Sequence, residues 1–213
     1  MKDPAAVAAI ISGLKAHYPD ALCSLEYIKD YELLFSVRLA AQCTDERVNQ
    51  VTPALFARYP TLESLAEADV HDIETYIHST GFFRAKARDI VAASRMLLDE
   101  YGGKGPDTME ALLKLPGVGR KTANVVMCEA FKNPQGIAVD THVFRIAHRL
   151  RFATRNDDTP AKTEAKLLKI YPQRDWLYIN HQWVHFGRDF CRARNPRCLE
   201  CPVKEFCPSC GKA

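Results

Sequence analysis

Residues Leu115–Val126 read LPGVGRKTANVV: two glycines two apart, two basic residues, then an apolar run. The pattern suggests a backbone loop that holds a phosphate and feeds a helix. A P-loop requires glycine directly before the Lys-Thr pair and another five residues earlier; Arg120 and Leu115 stand there. A dinucleotide fingerprint requires glycine three residues after Gly119 and a strand in front. Thr122 occupies that position, and the preceding segment reads as a helix. With both cofactor motifs excluded, a helix–tight turn–helix unit remains. Gly117 and Gly119 permit a backbone path closed to other residues and a close approach. The free N–H groups at the second helix's start form an anion site without any side chain. Such a site grips a nucleic-acid backbone irrespective of base sequence. The alternative for this stretch alone is a plain corner between two helices.

Outward from the hairpin the chain predicts helix after helix. Asp69 caps a segment that runs to Ser79 or Thr80 and stops at Gly81. Phe83–Tyr101 carries apolar residues at helical spacing and ends at Gly102-Gly103. Asp107-Thr108 opens a short helix ending near Leu115. Ala123, Val126, Met127 and Ala130 then fall on one helical face. Asp140-Thr141 begins another helix, and Thr159-Pro160 a further one, with proline in the first turn. Pro53 is expected to kink or interrupt the segment from Thr44 to Tyr59. No sustained period-two alternation occurs, so the predicted fold is all-α. GGKGPD, KNPQG and TRNDDTP read as linkers.

A chain of 213 residues suffices for one large domain or two small ones, and 47% hydrophobic with 26% charged residues is an ordinary globular balance. The net charge of +3 permits a nucleic-acid partner without requiring one. No apolar stretch is long enough to span a bilayer. Asp3 and Pro4 before the apolar run from Ala5 to Ile11, with Gly13 and Lys15 after it, favour a short amphipathic helix over a signal peptide. A cytoplasmic protein, nucleoid-associated if prokaryotic, is therefore expected.

Eight cysteines are present, and five crowd into the last 23 residues, CRARNPRCLECPVKEFCPSC and beyond. A disulfide framework would be spread along the chain, so the clustering points to a metal site. Cys191, Cys198, Cys201 and Cys207 are separated by six, two and five residues. Structural zinc favours two short-spaced pairs, whereas one short pair between longer gaps leans towards a [4Fe–4S] cluster. Cys210 offers a competing fourth ligand. Arg192, Arg194 and Arg197 lie in the first gap and suggest a basic loop. Cys23, Cys43 and Cys128 read as small buried thiols. His181 and His185 have zinc-protease spacing, but Gln182 replaces the required glutamate, which leaves core or hydrogen-bonding histidines.

LPGVGRKTA, the VDTHVFR stretch beyond it and the C-x6-C-x2-C-x5-C tail together resemble endonuclease III, an iron–sulfur DNA glycosylase/AP lyase family of the helix-hairpin-helix superfamily; LAAQCTDERVN (Leu39–Asn49) resembles its DNA-facing wedge segment. The resemblance implies two helical lobes: a six-helix barrel over residues 21–131, and a four-helix iron–sulfur lobe from 1–20 with 132–213. It implies excision of oxidised pyrimidines from damaged double-stranded DNA by a monomer without a membrane partner, followed by β-elimination through a lysine imine. Lys121 matches the family's nucleophile and stands at the start of the helix that follows the hairpin. Asp140 matches the catalytic aspartate and is also a candidate N-cap. Gln42 and Phe82 match the two wedge positions, the latter commonly leucine in the family, and such wedges fill the gap left by an extruded base. Gly117, Val118, Gly119 and Arg120 would meet the DNA backbone, with His142 and Arg145 on the Asp140 helix. The resemblance implies Cys191, Cys198, Cys201 and Cys207 as cluster ligands. A related adenine-type glycosylase would have glutamate in place of Arg38 and lack the lysine; a non-catalytic DNA-binding module is the second alternative.

Overall fold

Short polar side chains start most of the helices. In the computed structural model, which describes residues 3–212, Asp3 accepts a hydrogen bond from the Ala5 amide at the head of α1 (Pro4–His17). Met1, Lys2 and Ala213, at the two ends of the expected iron–sulfur lobe, lie outside the described residues. Lys29 precedes α2 (Asp30–Leu39), and Thr44 caps α3 (Asp45–Arg58). Thr61 caps α4 (Leu62–Ala66) and Asp69 caps α5 (Val70–Ile77). A 3-10 turn (His78–Thr80) and Gly81 lead into α6 (Phe83–Tyr101), which ends on the left-handed Gly102. Thr108 caps α7 (Met109–Leu112), and α8 (Arg120–Glu129) comes next. Asp140 and Thr159 cap α9 (Thr141–Arg149) and α10 (Pro160–Ile170); α11 (Trp176–Asp189) completes the set. Each cap satisfies one of the orphan N–H groups of a first turn. No strand occurs among the described residues, and the fold is all-α.

The chain forms two compact units: Ser24–Asn133, and the residues up to Cys23 together with those from Pro134 onward. In the first, α6 buries Ala87, Ile90, Val91 and Leu97, with α4 and α5 packed along it, and α8 lies beside α2. In the second, Ile10 and Leu14 of α1 join Val143 and Ile146 of α9, Leu167 of α10, and Trp183 and Phe186 of α11. Burying one such large side chain contributes about 1.5–3 kcal/mol.

Two expectations need correction. Helix α3 runs unbroken from Asp45 to Arg58 through Pro53. Pro53 lies on the exposed face, where water can hydrate the carbonyl that loses its partner. Helix α8 is buried not along one face but from Ala123 to Glu129 continuously, while Ala130, assigned to that face, is its half-buried C-cap. It packs against both α2 and α7, and so needs apolar residues on more than one side.

Candidate functional site

The hairpin turns as its glycines suggest, but for different reasons at each. Gly117 has φ +74°, and a Cβ there would come within 2.6 Å of Arg38 Nε and Asp89 Oδ2. Those two side chains form an ion pair, Arg38 Nη2 to Asp89 Oδ2 at 2.6 Å, directly beneath the turn. Gly119 has an ordinary extended backbone (φ −94°, ψ 174°) that any residue could adopt, so its expected conformational role is not required. Its surroundings are open, with nothing within 4 Å of an added Cβ. Gly119 is the N-cap of α8 and supplies no side-chain acceptor to the first turn. Arg120 and Lys121 occupy the first two helical positions, both exposed, while Leu115 and Ala123 anchor the hairpin in the core.

Gln42 and Phe82 stand in turns of the same unit, after α2 and before α6. Both are exposed, Phe82 by 67%, and both hold left-handed backbone at φ 56° and 49°. A non-glycine residue pays for that conformation, and such strain gathers where a side chain must be aimed. Cys23 and Cys43 are half-buried rather than buried as expected; Cys128 is buried, and burial pushes its thiol up to about 12.

In the other unit, Asp140 caps α9 through Oδ1, which accepts from the Val143 amide at 2.8 Å. Its Oδ2 lies 3.5 Å from His142 Nδ1. His142 and Arg145 press on Gly187 of α11, where an added Cβ would fall 2.7 Å and 2.9 Å from them. Arg145 donates from Nε to the Cys191 carbonyl at 3.1 Å, and desolvation lowers its pKa. Arg149, which the sequence did not single out, donates to the carbonyls of Arg192 and Ala193 and lies 3.5 Å from Cys191 Sγ. These bonds tie α9 to the first turn of the cysteine loop. Arg197 is paired with Glu200, so the basic loop carries less free charge than its composition implies. His185 stacks on Tyr18, a packing role rather than a ligand's.

All five C-terminal cysteines line one cavity beside Phe186, Phe190 and Val203. Burial pushes the Cys201 thiol up to about 11, and neighbouring Cys207, Cys191 and Cys198 push the same way. An all-thiol donor set in an apolar pocket suits iron–sulfur ligation, and a bound iron deprotonates such thiols outright. Cys210 instead donates its thiol to the Cys198 carbonyl at 3.8 Å.

This arrangement has known counterparts. Residues 35–173 match the HhH-GPD superfamily of base excision DNA repair proteins, and residues 191–207 match the iron-sulfur binding domain of endonuclease III. Endonuclease III of Synechocystis sp. is 50% identical over 196 residues, covering 92% of this chain and 89% of that protein. Endonuclease III of Escherichia coli is 39% identical over 198 residues, covering 93% and 92%. A trapped endonuclease III–DNA covalent intermediate superposes with a TM-score of 0.94 at 41% identity, covering 100% of this chain and 99% of that one. A thermostable thymine-DNA glycosylase shares the fold, with a TM-score of 0.85 at 22% identity and 98% coverage of both chains. The chain belongs to the endonuclease III family. It is a bifunctional base excision repair enzyme, a DNA glycosylase with AP lyase activity, and it carries a [4Fe–4S] cluster. No described helix is long and apolar enough to cross a membrane.

Proposed function

We propose that the enzyme removes oxidised pyrimidines from duplex DNA and cuts the strand through an imine on Lys121. The observation that carries this reading is the position of Lys121, exposed in the first turn of α8 immediately behind an uncapped, open hairpin. The hairpin amides and Arg120 hold backbone phosphates, which sets the lysine beside a sugar rather than a base edge. The Lys121 Nζ lone pair attacks C1′ as the base leaves with the glycosidic electron pair. The amine then passes a proton to the departing base, its lone pair breaks the C1′–O4′ bond, and O4′ takes a proton from water as the protonated imine forms. Removal of a C2′ proton sends its electron pair towards the protonated imine, and the C3′–O bond breaks with the 3′ phosphate as leaving group. Water then hydrolyses the imine to free Lys121 and the unsaturated aldehyde.

Asp140 stabilises positive charge developing on the sugar or carries the protons; its cap bond fixes Oδ1 and orients Oδ2. Gln42 and Phe82 fill the stack when the base leaves it. Gly117, Val118 and Gly119 meet the backbone, and His142 and Arg145 add contacts from α9. The two units correspond to the barrel and iron–sulfur lobes, and the enzyme works as a cytoplasmic monomer.

Cys191, Cys198, Cys201 and Cys207 would hold the cluster beside the loop that Arg145 and Arg149 tie to α9. Cys210 is a tie within that loop. Cys210→Ser should therefore retain the violet-region absorbance of the purified protein, whereas Cys198→Ser should lose it together with the iron.

An adenine-type excision reaction is disfavoured by Arg38, which is committed to Asp89 and supplies no carboxyl group. Product analysis on a duplex containing thymine glycol tests the reading. Free damaged base and a strand ending in an unsaturated aldehyde are expected. Release of base with the strand intact would mean a monofunctional enzyme.

A further inference from the structure

The first unit contains a lysine with no exposure to water. Lys86, in the first turn of α6, has 0% relative accessibility. An ammonium in such a place costs several kcal/mol unless its donors are satisfied. Here Nζ donates to two backbone carbonyls, those of Leu39 and Thr80, each at 2.8 Å. Leu39 is the last residue of α2, and Thr80 the last of the 3-10 turn before α6. Both oxygens belong to helix C-termini, which lack intrahelical donors and attract a cation. One buried charge therefore clamps two helix ends. The Lys86 amide adds a third bond, to the Phe82 carbonyl at 3.2 Å.

The chain just beyond each clamped carbonyl presents a strained, exposed residue. Gln42 comes three residues after Leu39 and Phe82 two after Thr80; both are exposed, and both are held at positive φ. Two turns widely separated in sequence are thus fixed to one nitrogen, just before the residue each presents. A methionine of similar length would fill the same volume but leave both carbonyls without their donor, so what lysine adds is the pair of bonds that joins the two turns.

We propose that Lys86 is a positioning residue that cross-braces the Gln42 and Phe82 turns, so that both side chains enter the duplex together. This rests on the wedge reading of Gln42 and Phe82. Without the clamp the turns relax independently, and the strained conformations lose the support that over-determines them. Desolvation by burial also lowers the Lys86 pKa, while the nearby Cys43 thiol opposes that shift and Arg38 adds to it.

The test combines Lys86→Met with Gln42→Ala and Phe82→Ala in a double-mutant cycle, assayed well below each variant's melting temperature. Two signals are read on a lesion duplex carrying 2-aminopurine beside the damage: the fluorescence rise on base extrusion, and the single-turnover excision rate at saturating enzyme. Lys86→Met alone is expected to lose most of the fluorescence amplitude and to slow excision about tenfold or more. In the Gln42→Ala/Phe82→Ala background the same change should cost less than about twofold, because the residues act as a unit. Full additivity, or an unchanged fluorescence amplitude in Lys86→Met, would overturn the proposal. If Gln42→Ala and Phe82→Ala themselves leave both signals unchanged, the wedge reading fails instead. Lys86→Gln, which keeps an NH2 group with two donors but is shorter and uncharged, provides a milder variant; if neither replacement folds, Lys86 is a stability element of the unit and the proposal is wrong.

Discussion

Lys121→Ala is expected to reduce both base excision and strand scission by on the order of a thousandfold or more, the scale of losing a covalent nucleophile. The substitution should leave the fold intact. Lys121 is exposed at the second position of α8, makes none of the core contacts that begin at Ala123, and alanine is the strongest helix former. The hairpin amides that hold the backbone are untouched, so affinity for undamaged duplex should fall only by the share of one cation. Single-turnover kinetics beside fluorescence anisotropy separate the two effects. Activity within about tenfold of wild type would remove Lys121 from the chemistry, and a parallel collapse of binding would make it a phosphate contact.

The second large effect belongs to Asp140→Asn. Asparagine keeps an oxygen to accept from the Val143 amide, a bond of 2.8 Å in the native helix, and is as good an N-cap as aspartate. Thermal stability should therefore change little. The negative charge is lost, however, and base excision should fall about a hundredfold or more. Asp140→Ala removes charge and cap together and should cost about 1 kcal/mol of stability besides. Near-normal excision by Asp140→Asn, with destabilisation confined to Asp140→Ala, would reduce Asp140 to a structural cap.

The features legible in the sequence were local ones. Asp69, Thr108, Asp140 and Thr159 cap helices through bonds spanning two or three residues, and their signals lie within one turn. The hairpin was readable because the residues at positions 120 and 122 exclude the nucleotide loops. Cysteine spacing alone likewise pointed to iron–sulfur chemistry.

Long-range partners were not legible. Arg145 and Arg149 look like two more cations on an amphipathic helix, yet they reach carbonyls more than 40 residues away. Lys86 reads as a surface lysine of α6 until Leu39, 47 residues earlier, is brought to its ammonium. Arg38 sits in the apolar run LLFSVRLA, a local inconsistency that could have flagged its half-buried ion pair; its partner Asp89 carries no such mark. Pro53 misled because its side chain faces water, and the cost of a proline depends on what surrounds the freed carbonyl. Cys210 could not be separated from Cys207 by spacing, whereas its bond to the Cys198 carbonyl gives it a role of its own.

The imine on Lys121 is the step on which the proposed mechanism turns, and chemical trapping tests it most directly. Wild-type enzyme incubated with a thymine glycol duplex and sodium borohydride should form a covalent protein–DNA adduct, and peptide mapping should place the modification on Lys121. Lys121→Ala should form none. An adduct mapped to another amine, or equal trapping by Lys121→Ala, would contradict the mechanism.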